Sequence, residues 1–368
     1  MKSRTYKATG INLKAIHMGE SDRMVTVLTK EKGLVRAIAP GARKHKSRLS
    51  GRSGLFVVND ILFTKGKSID KLIQAETQQS FPGLSKDLAK LTASQYLAEI
   101  ALAQALSDQP QEELFYLLVE HLGRLESATS ANVLACLSQA TFHLLALAGV
   151  APEVFRCCLS RVPLEVDLSD SDWQVGFSVS SGGAIHTDEI ERIERDRLQE
   201  VKQRLVSQMP SRNQAGGYRA AEVASPYGET AEMSSSKTMP RPSRHKWPVG
   251  LEAKVAKEVA RNLGIVTHLS AAELSLMQQL SKPKLLLTQP TLSALKSPPT
   301  VENERLDTHF SPQSGTIRAP ITTSAASGAE IGPHQMWRNI EKALRHYAQY
   351  QFDRPIRSAA LIDTCFPQ

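Results

Sequence analysis

Across roughly the first eighty residues, apolar and polar positions alternate in short runs. Ile11, Leu13 and Ala15 share one face of residues 10–17, and four more runs follow at 24–29, 34–39, 55–63 and 69–76. Alternation of this kind is the mark of a half-buried strand. Turn formers separate the runs, at Gly19-Glu20, Lys32-Gly33 and Lys65-Gly66. Five short strands in this length suit a small closed barrel of the OB type, because closure removes exposed sheet edges. A five-stranded open sheet is the alternative that the pattern leaves standing.

From Leu84 onward the apolar spacing becomes helical. Leu114, Leu117, Leu118, His121, Leu122 and Leu125 fall on one face of a helix that opens after Pro110. Leu134, Leu137, Ala140, Leu144 and Leu145 do the same in the next helix, which Gly149 and Pro152 end. Residues 88–106 carry a third stripe, so a bundle of three antiparallel helices is predicted. Residues 155–187 break this pattern with a strand-like piece at 174–179 and the pair Gly182-Gly183, which reads as a small hairpin subdomain. A charge-dense helix follows at 188–205. Further on, Ser270-Ala-Ala-Glu273 is a capping box ahead of Leu274, Met277 and Leu280. A last helix at 336–350 bears Trp337, Ile340, Leu344 and Tyr347 at helical spacing. Residues 207–248 and 298–333 are rich in Ser, Pro and Gly and show no apolar period, so they are expected to be disordered insertions. The predicted class is α+β, with a barrel domain at 1–80 and a helical domain at 84–368.

Composition adds little until charge is located. The chain has 368 residues, room for about two domains, and is 41% apolar, enough for a buried core. Ser138, Gln139, Thr141 and His143 interrupt the most apolar run, 133–150, so it reads as a core helix and not as a membrane span. Lys, Arg, Asn and His interleave the first nineteen residues, and no secretory signal is expected there. Cys136, Cys157, Cys158 and Cys365 lack any C-x-x-C spacing and suit a reducing, cytoplasmic location. The net charge is +8. Residues 1–80 hold 16 Lys/Arg against 6 Asp/Glu, a net of +10, and the rest of the chain is close to neutral. An anionic polymer or surface is therefore the expected partner of the barrel.

The strongest local feature is the run 41–54, Gly-Ala-Arg-Lys-His-Lys-Ser-Arg-Leu-Ser-Gly-Arg-Ser-Gly, with five Lys/Arg and no acid. A loop like this between two strands can lay cations along a phosphate backbone, while its small residues let main-chain N–H groups approach. The candidate DNA-binding residues are Arg36, Arg43, Lys44, Lys46, Arg48 and Arg52. Lys46-Ser47 superficially resembles a phosphate-binding P-loop, but His45 stands where that motif needs Gly. Tyr6, Phe56 and Phe63 are the aromatics near the barrel, with Phe56 and Phe63 read as core. Binding should therefore lean on phosphate charge and be largely indifferent to sequence. A structural zinc needs four convergent ligands, and Cys157-Cys158 with His186 does not supply them, so no metal or other cofactor is expected. No catalytic residue is assigned. Glu200-Val-Lys202 imitates a nuclease fragment, yet it sits in a solvated helix, and no carboxylate set suits two-metal chemistry.

Several runs, taken in order, resemble the RecO family of bacterial recombination mediators. They are Gly10-Ile-Asn-Leu-Lys14, Gly19-Glu-Ser-Asp-Arg23 leading into Val25-Thr-Val-Leu-Thr29, Gly33, Gly41-Ala-Arg-Lys-His-Lys-Ser47 and Glu76. Ala148-Gly-Val-Ala-Pro152, Phe177-Ser178 with Gly182-Gly183, Leu344-Arg-His-Tyr347 and Arg354-Pro-Ile-Arg-Ser358 continue the match. The resemblance implies an N-terminal OB fold, a helical domain, and a zinc-knuckle-like hairpin present in some members, degenerate here at 155–187. It implies binding of single- and double-stranded DNA, strand annealing, and displacement of single-strand-binding protein together with RecR, in the cytoplasm at the nucleoid. It also implies docking of that protein's acidic C-terminal tail on the helical domain, for which Arg124 and Arg156 are the candidate cations. Two other functions fit a basic barrel: a Mg²⁺-dependent DNA-processing nuclease, and an RNA-binding OB protein.

Overall fold

The computed structural model describes residues 4–207, 248, 250–282 and 332–366. In chain order the barrel region comprises β1 (Thr5–Met18), β2 (Asp22–Thr29), β3 (Gly33–Ala39), a single helical turn α1 (Leu49–Arg52), β4 (Val57–Thr64) and β5 (Asp70–Ser80). The strands close in the order β1-β2-β3-β5-β4, with β4 returning to β1. β1 is long enough to serve both neighbours, so Ile11 lies opposite Leu28 on one side and Val58 on the other. The pairing of β3 with β5 is parallel, at Ala37–Asp70 and Ile38–Lys71, while the other pairings are antiparallel. Closure decides against the open sheet.

The predicted alternation fills the barrel with Val25, Val27, Val35, Ala37, Ile61, Phe63 and Leu72. Alternation fails in β1, where the register slips between Asn12 and Lys14 and Ile11, Asn12 and Leu13 are all buried. Such a bulge places an extra residue in one strand and turns a polar side chain inward. Leu55 and Phe56, predicted to open the fourth strand, lie outside it.

The second half comprises α2 (Leu88–Gln104), α3 (Glu112–Ser127), α4 (Val133–Leu147), β6 (Gln174–Ser178), β7 (Gly183–His186), α5 (Thr187–Ser207), α6 (Leu251–Asn262), β8 (Ile265–Ser270), α7 (Ala271–Gln279), α8 (Pro333–Phe352) and α9 (Ala359–Cys365). These residues fall into two compact units. Residues 187–263 form one, and everything else, barrel included, forms the other. Within 187–263, Arg197 of α5 pairs with Glu258 of α6 at 2.9 Å.

In the larger unit α8 packs on α4, burying Trp337, Ile340, Leu344 and Tyr347 as their spacing predicts. Ser130–Leu147 is long and apolar enough to cross a membrane, and 67% of it is buried inside the bundle. The capping box at Ser270 and Glu273 is formed. Barrel and bundle join at the β2–β3 turn: Leu34 N–H donates to Leu106 O at 2.9 Å and Gln111 N–H to Lys30 O at 2.8 Å. Gly33, at φ +61, makes this possible, because a Cβ there would stand 2.1 Å from the Leu106 oxygen.

Two polar clusters interrupt the apolar bundle. His143 Nε2 lies 2.7 Å from the Leu280 carbonyl oxygen, and His143 Nδ1 lies 3.0 Å from His121 Nε2. A carbonyl only accepts, so His143 donates from Nε2 and accepts at Nδ1 from His121. Burial pushes the His121 imidazole down to about 3, with its His143 neighbour and Arg124 acting in the same direction. Burial lowers His143 too. Between α8 and α9, Arg345 donates to the Ala359 carbonyl at 2.8 Å and grips both carboxylate oxygens of Asp363 at 2.9 and 2.5 Å. Its Nε also lies 3.0 Å from the buried Glu341 carboxylate, without the alignment of a hydrogen bond. Burial lifts Glu341 to about 7, with Arg345 opposing.

Within the segment 155–187 the expected hairpin forms, with β6 pairing antiparallel with β7. β8 pairs with β6, giving a three-stranded sheet in the order β7-β6-β8. A two-stranded hairpin is marginal in water, and the third strand arrives from residues 265–270. Among the described residues no group of three or more His, Cys, Asp or Glu could hold a metal ion. The segments predicted as disordered insertions, 207–248 and 298–333, lie outside the described residues except at their ends.

Candidate nucleic-acid interface

The basic run 41–54 forms the connection from β3 to β4. It leaves the barrel at Gly41, whose φ of +62 turns the chain sharply. Turn bonds from Lys44 N to Gly41 O and from Ser47 N to Lys44 O, each 3.0 Å, carry it into α1. Two apolar pegs, buried Ala42 and half-buried Leu49, pack against the barrel interior.

Polar clamps fix the rest. Asp22 Oδ1 accepts from Gly41 N–H at 2.8 Å, and that bond, with the Ser21 hydroxyl and the charges of Lys44 and Lys71, holds its carboxyl below the ordinary range. Arg23 donates to Ser50 O at 3.1 Å and to Ser53 Oγ at 2.9 Å. Asn12 donates to Arg52 O and Gly54 O at 2.8 and 2.9 Å, and Asn59 donates to Arg52 O at 2.9 Å. Asn12, Ser53 and Asn59 are fully buried. Phe56, where the loop meets β4, is held at φ +57 with its side chain buried and its N–H on Asn12 O. A bulky residue in this region is a strained outlier that persists only when its surroundings over-determine it.

A clamped base thus presents long cationic side chains. Lys44, Lys46 and Arg48 are exposed, Arg52 is half-buried, and none of their side chains forms a salt bridge among the described residues, although Lys44 lies close enough to Asp22 to lower its carboxyl. Arg43 differs. It is exposed, but its guanidinium donates to Gly19 O at 2.8 Å and its N–H to Ser21 O at 2.9 Å, so it also fastens the β1–β2 turn. Arg36 stands exposed on the outer face of β3, against Met24 Sδ at 3.8 Å. Tyr6 stacks on Phe63 at 5.2 Å and donates its hydroxyl to Asp70, so it belongs to the barrel wall.

The two candidate partner cations are not brought together. Arg124, on α3, donates to Gln139 Oε1 at 2.9 Å and pairs with Glu120. Arg156 is exposed in a loop that also exposes Phe155, Leu159 and Val162. Cys157 is buried and accepts from the His186 N–H at 3.4 Å, while Cys158 is half-buried and its N–H bonds to Ala184 O.

A five-stranded barrel of this order, bearing a clamped basic loop and followed by a helical bundle, invites comparison with known proteins. The profile described as Recombination protein O N terminal matches residues 1–81, and that described as Recombination protein O C terminal matches residues 85–193. The chain belongs to the RecO family. The DNA repair protein RecO of Nostoc sp. (strain PCC 7120 / SAG 25.82 / UTEX 2576) is 42% identical over 367 residues, covering 99% of this chain and 97% of the relative. That of Gloeothece citriformis is 43% identical over 366 residues, covering 99% of each. Both alignments run through the two segments read as insertions. The RecO protein of Trichodesmium erythraeum is 52% identical over 194 residues, 51% of this chain and 67% of the relative. Membership carries a role in DNA repair and recombination and identifies the barrel as an OB fold.

Sequence reasoning located the cations of this RecO-family barrel but missed their clamps. Asn12 left a trace, as a polar residue between the buried Ile11 and Leu13. Asp22, Arg23 and Asn59 left none, because Asp, Asn and Arg near turns are commonplace.

Proposed function

We propose that this protein is a recombination mediator without covalent chemistry, which binds single- and double-stranded DNA through the β3–β4 loop. The observation that carries the reading is the set of exposed cations Lys44, Lys46 and Arg48, none in a salt bridge among the described residues, on a loop whose backbone is held by buried polar clamps. Cations presented in this way neutralise phosphates on two strands at once and reduce their mutual repulsion, so complementary bases can pair. Release of condensed counterions drives the binding. In this reading Arg36, Arg43 and Arg52 extend the phosphate track, and neither zinc nor another cofactor takes part.

The reading includes two protein partners. RecR acts with the chain to displace single-strand-binding protein, so that a recombinase loads on gapped DNA. The acidic, apolar-ended tail of single-strand-binding protein docks on the helical domain, where it needs a cation beside apolar surface. Arg156, exposed with Phe155, Leu159 and Val162, suits that need better than Arg124, which is engaged by Gln139 and Glu120.

The test is annealing of complementary strands coated with single-strand-binding protein, with and without RecR, in EDTA. Annealing that survives EDTA and gains from RecR supports the mediator. Mg²⁺-dependent loss of DNA length would replace it with a nuclease, and a preference for RNA of equal length would replace it with an RNA-binding protein.

A further inference from the structure

Beside the basic loop lies a groove of about 710 Å³, within the ordinary range of small-ligand sites. Arg48 and, from α1, Gly51 and Arg52 line it together with apolar Leu55, Phe81, Leu84 and Leu91, and Thr77, Ser80 and Ser85 add hydroxyls. Neither guanidinium has a partner among the described residues, and no acidic residue lines the groove. The similarly sized groove near the ends of α3 and α4 has the opposite character, with Glu112 and Glu113 and no cation. An apolar slot edged by two unpaired arginines matches a ligand with a flat apolar body and an anionic link on one side. A nucleotide of a single strand has that form. Duplex bases are stacked and paired and cannot enter such a slot, whereas single-stranded bases can be splayed out against apolar side chains and guanidinium planes.

We propose that this groove receives an unstacked base of single-stranded DNA while the flanking phosphates lie on Arg48 and Arg52. The proposal rests on the DNA-binding reading above and deepens it. The loop supplies charge, which single and double strands share, and the groove supplies a contact that only a single strand can make. Few aromatic platforms are exposed on the barrel, so the groove is what gives the protein a means of distinguishing a base-bearing strand from a bare phosphate chain. Bound bases would be held apart from their neighbours, which leaves their pairing edges free for a complementary strand.

The test compares a normal single-stranded oligonucleotide with an abasic strand of equal length and charge. The full-length protein is expected to bind the normal strand at least about tenfold more tightly, the size of one base contact. Gly51→Leu fills the groove from α1, where an added Cβ meets nothing within 4 Å. Ser80→Leu fills it from the end of β5. Both variants are expected to bring the ratio close to one, and Ser80→Leu, which lies outside the loop, is expected to leave affinity for the abasic strand unchanged. A wild-type ratio near one, with salt-sensitive binding of both strands, would overturn the base slot and leave the phosphate track standing. A ratio that survives both substitutions, or equal weakening on both strands, would also overturn it. Failure to bind either strand would remove the DNA-binding reading itself.

Discussion

Asn12 of β1 and Asn59 of β4 donate their side-chain amides to one acceptor, the carbonyl oxygen of Arg52, at 2.8 and 2.9 Å. Two barrel strands thereby hold the last residue of α1, and the cationic tips of the loop inherit that order. Asn12 also donates to Gly54 O, so its amide nitrogen faces two carbonyl oxygens.

Asn12→Asp therefore keeps the shape and reverses the interaction, placing a buried carboxylate against two carbonyls. At pH 7 this variant should lose at least about 3 kcal/mol of unfolding free energy, as expected for an unpaired buried charge. Asn12→Ala should lose about 1–3 kcal/mol. The introduced carboxyl titrates above its unfolded value, so its deficit relative to wild type should shrink as pH falls and protonation restores a donor. Urea titrations of both variants at pH 7 and pH 5, each compared with wild type, check this. Equal stability of Asn12→Asp and wild type at pH 7 would mean that the clamp carries no energy.

The histidine pair makes a separate demand. The unfolded chain takes up protons at His121 and His143 below about pH 6.5, whereas the folded His121 resists until about 3. The unfolded state then binds more protons, so stability should fall as pH drops below about 6.5, by up to about 1.4 kcal/mol per pH unit for His121 alone. Unfolding free energy measured between pH 4.5 and 7.5 should show this slope, and His121→Leu should flatten it by about one proton. An unchanged slope in the variant would locate the acid sensitivity elsewhere.

Arg345 staples α8 to α9 and sits beside the buried Glu341. Arg345→Met should cost about 3–5 kcal/mol, because it strands a buried carboxylate. Adding Glu341→Leu should recover part of that loss, since the stranded carboxylate is then removed. Thermal or urea unfolding of the single and double variants checks the ordering. A double variant less stable than the single one would show that Glu341 has a second role.

These particulars show where sequence reading worked and where it could not. Alternation exposed the five barrel strands because each buries one face, and the excess of cations identified the loop between β3 and β4. The closure of β4 on β1 and of β3 on β5 joins residues far apart in sequence, and no local pattern encodes it. The bulge at Asn12 is one extra residue, invisible to a period of two. β8 escaped because Ile265–Ser270 is short, lies between a helix end and a capping box, and finds its partner in the distant β6. Arg43 read as one more cation of the loop, and only the bond to Gly19 O shows that it also fastens a turn. Arg345 read as part of a helix, with nothing in the chain to say that Asp363 would meet it.

The central claim is that the clamped loop neutralises DNA phosphates, and the salt dependence of single-strand affinity tests it most directly. Lys44→Gln, Lys46→Gln and Arg48→Gln, made together, remove three exposed cations and leave Arg43, Asp22 and the asparagine clamps in place. Each cation taken off a phosphate should flatten the slope of log K against log salt by about 0.7, hence by about 2 for the triple variant. A flattening of that size, with unfolding stability unchanged, is the predicted result. An unchanged slope in a folded triple variant would contradict it and take the loop out of the DNA site.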